Sequence, residues 1–147
     1  MMWAAISYAR NTQLIHIQGN LNAVRYRDEI IRPHLLPVID IQREIFQHDN
    51  ARPHTARVTV DFLEQQNVNV IRWPSRSPDL NPIEHLWDEL DRRVRQRQPP
   101  PQNLQQLEQI LLYERQRIPR VRTQRLIESM PRRVRAVLQA NGGYNRD

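Results

Sequence analysis

The chain has 147 residues, 39% hydrophobic and 26% charged, the balance of a soluble globular domain and not of a collagen-like or disordered chain. It contains no cysteine, which excludes disulfides, thiolate zinc sites and thiol nucleophiles together. No apolar run approaches the roughly 20 residues of a membrane-spanning helix, so no partnership within a membrane is expected, and residues 1–6 are too short an apolar start for a signal peptide.

Residues 2–8 read as a strand, Arg10-Asn11-Thr12 as a turn and Leu14-Ile15-His16-Ile17 as a second strand, together a β-hairpin. Asn22 is placed to cap a helix carrying Val24, Ile30, Ile31 and Leu35, which Pro33 and Pro37 should kink or end. Residues 44–49 predict a third strand, stopped by Asn50. A helix follows over residues 52–66, with Val58 and Phe62 four apart and Val60 and Leu63 beside them. Residues 68–73 predict a fourth strand, ended by Pro74. Strand, helix and strand in that order imply a right-handed parallel crossover.

A polar loop then leads to a helix beginning at Pro82. Pro99-Pro100-Pro101 reads as a linker. It divides a mixed α/β part, residues 1–98, from an all-helical extension, residues 99–147, with helices near residues 104–117 and 122–139 and Pro119 and Pro131 as breakers. The apolar stripes of this extension (Leu104, Leu107, Leu111 and Ile118, then Leu126, Ile127 and Met130) either pack on their own domain or mediate self-association.

Charge is divided unevenly. Residues 1–91 hold 9 arginines against 12 acids, residues 92–147 hold 13 against 4, and lysine is absent throughout. The basic half points to a polyanionic partner, nucleic acid first and an acidic membrane surface second, against the plain alternative of a solvated face. Arg92, Arg93, Arg95, Arg97, Arg120, Arg122, Arg125, Arg132, Arg133 and Arg135 are spaced to follow a duplex backbone by charge, without reading sequence.

Two strings carry candidate chemistry. In His48-Asp49-Asn50-Ala51-Arg52-Pro53-His54, an aspartate at the tip of a parallel strand points to the crevice where α/β ligands bind, and its carboxylate is a hard donor for Mg²⁺ or Mn²⁺. The competing reading makes Asp49 or Asn50 the cap of the next helix. In Asn81-Pro82-Ile83-Glu84-His85-Leu86-Trp87, Glu84 is either a second metal ligand or the third helical residue of a capping box begun by Asn81. The histidines lack the spacing of a zinc site. No strand–Ser–helix elbow supports a serine nucleophile. Trp3, Trp73 and Trp87 read as packing residues and not as a single-strand stacking surface.

The two strings, with 34 residues between Asp49 and Glu84, resemble the second and third catalytic blocks of the mariner-superfamily transposases, in their Tc-type branch. The resemblance implies an RNase H-like fold and phosphoryl transfer on DNA through two divalent ions about 3.5–4 Å apart. It makes Asp49 the second and Glu84 the third acid of a carboxylate triad and ligands of Mg²⁺ or Mn²⁺. Asn50, Arg52, His54 and His85 become neighbours of the site. It also implies a nuclear location and working as a homodimer.

The resemblance also sets an expectation of loss. The family's first acid lies on a strand upstream of the block that residues 2–7 resemble, as do its DNA-reading domains. The expected architecture is therefore an RNase H-like mixed sheet lacking its first, central strand, followed by a helical Arg-rich tail. A transposase fragment of this kind is expected to be inactive alone, the alternative being a non-catalytic DNA-backbone-binding or dimerisation module.

Overall fold

The computed structural model describes residues 1–71, 74 and 77–140, which fall into two units. The first comprises Met1–Ala5 and Arg10–Ser77, the second Ile6–Ala9 and the chain from Pro78 onward. In the first unit, β1 (Met2–Trp3) pairs antiparallel with β2 (Ile15–His16), Met2 opposite His16 and Trp3 opposite Ile15. The ladder is shorter than the sequence suggests. Thr12 turns inward, its hydroxyl oxygen accepting from the Ala5 N–H at 2.8 Å and its own N–H donating to the Ala5 carbonyl at 2.9 Å.

Asn22 caps the following helix as expected, its side-chain oxygen accepting the Arg25 N–H at 2.9 Å. Helix α1 (Ala23–Arg25) passes directly into a π-helical segment, Tyr26–Leu35. The wider winding, visible in the Leu36 N–H to Ile31 carbonyl bond of 2.9 Å, holds Pro33 inside the helix without the α-helical clash against the fourth preceding carbonyl. It also resets the buried face. Tyr26, Ile30, Ile31 and Leu35 are buried, a spacing of four and five where an α-helix repeats every 3.6 residues, and Val24 is turned outward. Replacing Asn22 with alanine should lower stability by about 1 kcal/mol, read as a lower denaturant midpoint at constant m-value, with Asn22→Asp staying close to the parent.

Residues 44–49 and 68–73, expected as strands, meet among the described residues at a single parallel bridge between Phe46 and Val70. Phe46 and Val68 are buried while Ile45, Val70 and Ile71 stay exposed, so little burial offsets the entropy of ordering a longer ladder. Arg72 and Trp73 lie outside the described residues. The helix expected over residues 52–66 is broken at Ala56, whose backbone is extended at φ −60° and ψ 143°. This gives α2 (Arg52–Thr55) and α3 (Arg57–Gln65). The break shifts the inward face: Thr59, Phe62 and Leu63 are buried, whereas Val58 and Val60 are exposed. Thr59 is satisfied by donating its hydroxyl to the Pro53 carbonyl at 2.6 Å.

Asn67, at φ 57°, ends α3. The Val68 N–H donates to the Leu63 carbonyl at 2.9 Å and the Asn67 N–H to that of Glu64 at 3.0 Å, the paired bonds of a Schellman turn. That turn returns Val68 to the core, where it joins Ile17, Tyr26, Ile30, Ile31, Leu35, Phe46, Phe62 and Leu63, with Trp3 and Ile15 packed against them.

The second unit is helical. A 3₁₀ turn (Pro78–Leu80) leads into α4 (Pro82–Arg95), followed by α5 (Leu104–Arg117), α6 (Arg120–Glu128) and α7 (Met130–Gln139). The helix expected over residues 122–139 is thus two helices, because Pro131 takes a first-turn position in α7 after Ser129. Leu86 and Leu90 of α4, Ile118 and Leu126 form the core, joined by Ile6, Ile83, Trp87 and Leu111. Of the stripes read from the sequence, Leu111, Ile118 and Leu126 pack within their own unit, while Leu104 is exposed. Among the described residues no helix is long and apolar enough to cross a membrane.

Candidate functional site

Asp49 stands just beyond the Phe46–Val70 bridge, with its side chain 57% exposed. It does not cap α2: Ala51 holds the cap position, with no side-chain bond there. Instead Asp49 Oδ1 accepts the Ala51 N–H at 3.0 Å, an Asx turn that fixes the carboxylate above the chain reversal. The same oxygen lies 2.6 Å from His54 Nδ1. One turn of helix is what returns His54 to this place. The Ala51 carbonyl accepts from both His54 N–H and Thr55 N–H, and the break at Ala56 then redirects the chain.

Behind the carboxylate lies an aromatic and imidazole cluster. The rings of His48 and His54 stack at 4.9 Å and 8°, Tyr26 lies 4.3 Å from His54, and Phe46 lies 4.7 Å from His48. The Tyr26 oxygen is 3.2 Å from His48 Nδ1. Burial drives the His48 pKa down to about 4, with the nearby His54 charge acting in the same direction and Asp49 only partly opposing it. His48 is therefore neutral near pH 7. Burial likewise pushes the Tyr26 phenol well above its usual range, so it remains a proton donor. Asn50 is exposed in the loop, and Arg52 is exposed at the start of α2.

Glu84 belongs to the second unit, half-buried in the first turn of α4, where the helix dipole favours a carboxylate. Asn81 has the extended backbone of a cap at φ −109° and ψ 106°, but its side chain makes no capping bond. The capping box foreseen there is thus not closed by Asn81. His85 is held from α7. Arg133 Nη1 lies 2.7 Å from His85 Nε2, and Arg133 Nε donates to Ser129 Oγ at 2.9 Å. A guanidinium can only donate, so His85 Nε2 is the acceptor and its proton is on Nδ1.

The arginines of the basic half are used unequally. Glu89 is bonded by Arg93 at 3.0 Å and Arg122 at 2.8 Å, and Glu114 by Arg93 at 3.4 Å and Arg97 at 3.2 Å. Burial works to raise the Glu89 carboxyl, but the hydrogen bonds and charge of Arg122 and Arg93 outweigh it and hold it below the usual carboxylate range. Sequence spacing had offered Arg93, Arg97 and Arg122 as backbone contacts. The structure places them around buried carboxylates that spacing could not reveal. Arg120 donates to the Tyr8 carbonyl and Arg95 pairs with Asp91 at 2.8 Å. Arg92, Arg125, Arg132 and Arg135 face solvent. Arg92 also lines a cleft of about 420 Å³ with Glu89, Arg93, Gln96 and Arg122.

Asp49 suits a divalent ion by donor type, as an exposed carboxylate whose Oδ1 is held and whose Oδ2 takes no hydrogen bond among the described residues. Glu84 offers the same hard-oxygen chemistry from its own unit. Among the described residues no group of three or more His, Cys, Asp or Glu stands ready to hold a metal ion.

The family model of the DDE superfamily endonucleases matches residues 1–108, a stretch that contains both acidic strings. The chain belongs to the DDE superfamily endonucleases. Among the relatives of this endonuclease chain, the transposable element Tcb1 transposase of Caenorhabditis briggsae is 36% identical over 97% of the chain, and the Tc1 transposase of Caenorhabditis elegans is 35% identical over the same share. The chain spans about half the length of these curated relatives, 52% in each case.

Solved structures agree. The Mos1 transposase catalytic domain, determined with raltegravir and Mg, superposes with a TM-score of 0.75 at 26% identity, covering 93% of this chain and 71% of that one. The Mos1 strand transfer complex gives 0.75 at 27% identity, covering 91% of this chain and 39% of its counterpart. The fold is RNase H-like, as the two strings implied, in a helix-rich version with a small two-stranded sheet.

Proposed function

We propose that this DDE endonuclease chain serves DNA transposition: phosphoryl transfer on double-stranded DNA, with Asp49 and Glu84 as acid ligands of Mg²⁺ or Mn²⁺. The observation that carries the reading is the family match across both strings, together with an exposed, pre-oriented Asp49 carboxylate. When bound, such ions would activate an attacking oxygen and offset charge on the leaving one. The chain's own contribution is to fix the Asp49 carboxylate by the Asx turn, to keep His48 neutral beside Asp49, and, in the second unit, to set Glu84 at a helix N-terminus. The similar solved Mos1 structures, a catalytic domain with Mg, a paired end complex with Mn and a strand transfer complex, support this reading. It carries with it a nuclear location and self-association.

In the same reading, DNA is held through phosphates by the solvent-facing arginines Arg92, Arg125, Arg132 and Arg135, while Arg93, Arg97 and Arg122 maintain the unit that displays them. Fluorescence anisotropy on a random-sequence duplex should show log affinity falling linearly with log salt, and each arginine contacting a phosphate should contribute about −0.9 to the slope. Replacing Arg92, Arg125, Arg132 and Arg135 together with alanine should flatten that slope by about 2–4. An affinity insensitive to salt overturns the DNA reading.

A further inference from the structure

The hydrogen bonds around Asp49 are one-sided. Oδ1 accepts from the Ala51 N–H at 3.0 Å and lies 2.6 Å from His54 Nδ1, while no bond to Oδ2 is present among the described residues. A carboxylate can only accept, so His54 carries its proton on Nδ1 and donates it to Oδ1. The ring has little freedom to do otherwise: it is stacked on His48, lies 4.3 Å from Tyr26, and is only 15% exposed. Asp49, by contrast, is mostly exposed. A largely covered, clamped donor thus grips one oxygen of an exposed carboxylate and leaves the second without a hydrogen bond among the described residues.

We infer that His54 is the positioning residue of Asp49, locking its Oδ1 so that Oδ2 alone is offered to a divalent cation. The inference rests on the reading of Asp49 as an ion ligand. The physical gain is rotational. A free carboxylate turns about its terminal torsion and offers either oxygen or both, whereas the grip of His54 and Ala51 fixes the plane before the ion arrives. Groups that orient a metal ligand in this way are commonly worth 10–100-fold in metal affinity.

The test is Mn²⁺ titration of the full chain, followed by loss of the free-ion electron paramagnetic resonance signal, with thermal melts in EDTA alongside. Asp49→Ala should bind Mn²⁺ at least tenfold more weakly, and His54→Ala about tenfold more weakly. His54→Asn, whose amide N–H can reach the place of Nδ1–H, should recover most of that loss. If Asp49→Ala is weakened but His54→Ala stays within about twofold of the parent, the positioning role is overturned and the ligand reading survives. If Asp49→Ala binds as the parent does, both fall. Should His54→Ala melt at the assay temperature, ¹⁵N-histidine correlation spectra of the parent decide instead. A His54 protonated on Nδ1 supports the grip, and one protonated on Nε2 overturns it without touching the role of Asp49.

Discussion

Replacing Glu114 with alanine should destabilise the second unit by about 3–5 kcal/mol, the usual consequence of removing one partner from a buried ionic pair. Its carboxylate side chain is only 7% exposed and is shared by Arg93 and Arg97. Truncation leaves two partly covered guanidinium groups facing each other without the anion between them, and Arg93 also belongs to the Glu89–Arg122 group. The loss therefore spreads from α5 to α4 and α6. A denaturant melt of the full chain measures it. Glu114→Gln, which keeps a hydrogen-bond acceptor of the same shape, should cost clearly less. If alanine costs below about 1 kcal/mol, the network behaves as an ordinary surface set of ion pairs.

Acid should unfold the first unit through His48. Its pKa is near 6.5 when the chain is unfolded and about 4 when folded. Between those values the unfolded chain binds the extra proton, so stability rises with pH. The penalty is absent above pH 6.5 and grows as pH falls toward 4, the loss amounting to roughly 3 kcal/mol at the lower end. The groups facing His48 are Tyr26 from the π-helical segment, Phe46 from its own segment, His54 from α2 and the Asp49 carboxylate. Only Asp49 opposes the shift. Thermal melts in EDTA from pH 7.5 to 4 should show the fall, and His48→Gln should remove most of its pH dependence. An unchanged profile in that variant would assign the acid sensitivity elsewhere.

How legible the molecule is depends on the range of the interaction. Asn22 and Asn103 cap helices through bonds three residues away, Arg25 N–H to Asn22 and Gln106 N–H to Asn103, and both the capped helices and the proline stops could be placed from local pattern. The π winding could not, because Pro33 marks a disturbance without saying whether the helix ends or widens. Nor could the break at Ala56, a residue with good helix propensity, forced open where α2 must return His54 to Asp49. The shortness of the ladder at Phe46 and Val70 is not visible in the sequence either, because apolar and β-branched runs look alike whether or not both faces are buried.

By itself the sequence determined the family, through two long strings and their separation, and the helical, Arg-rich character of the second half. It also determined which carboxylates are candidates. The tertiary structure decided what those residues are free to do. Tyr26 meets His48 across 22 positions, Arg93 meets Glu114 across 21, Arg122 meets Glu89 across 33, and Arg133 meets His85 across 48. Charge, tautomer and orientation follow from such distant neighbours and from burial. That is why one arginine becomes a structural partner, another stays open to a phosphate, and Asp49 is left with a single oxygen to offer.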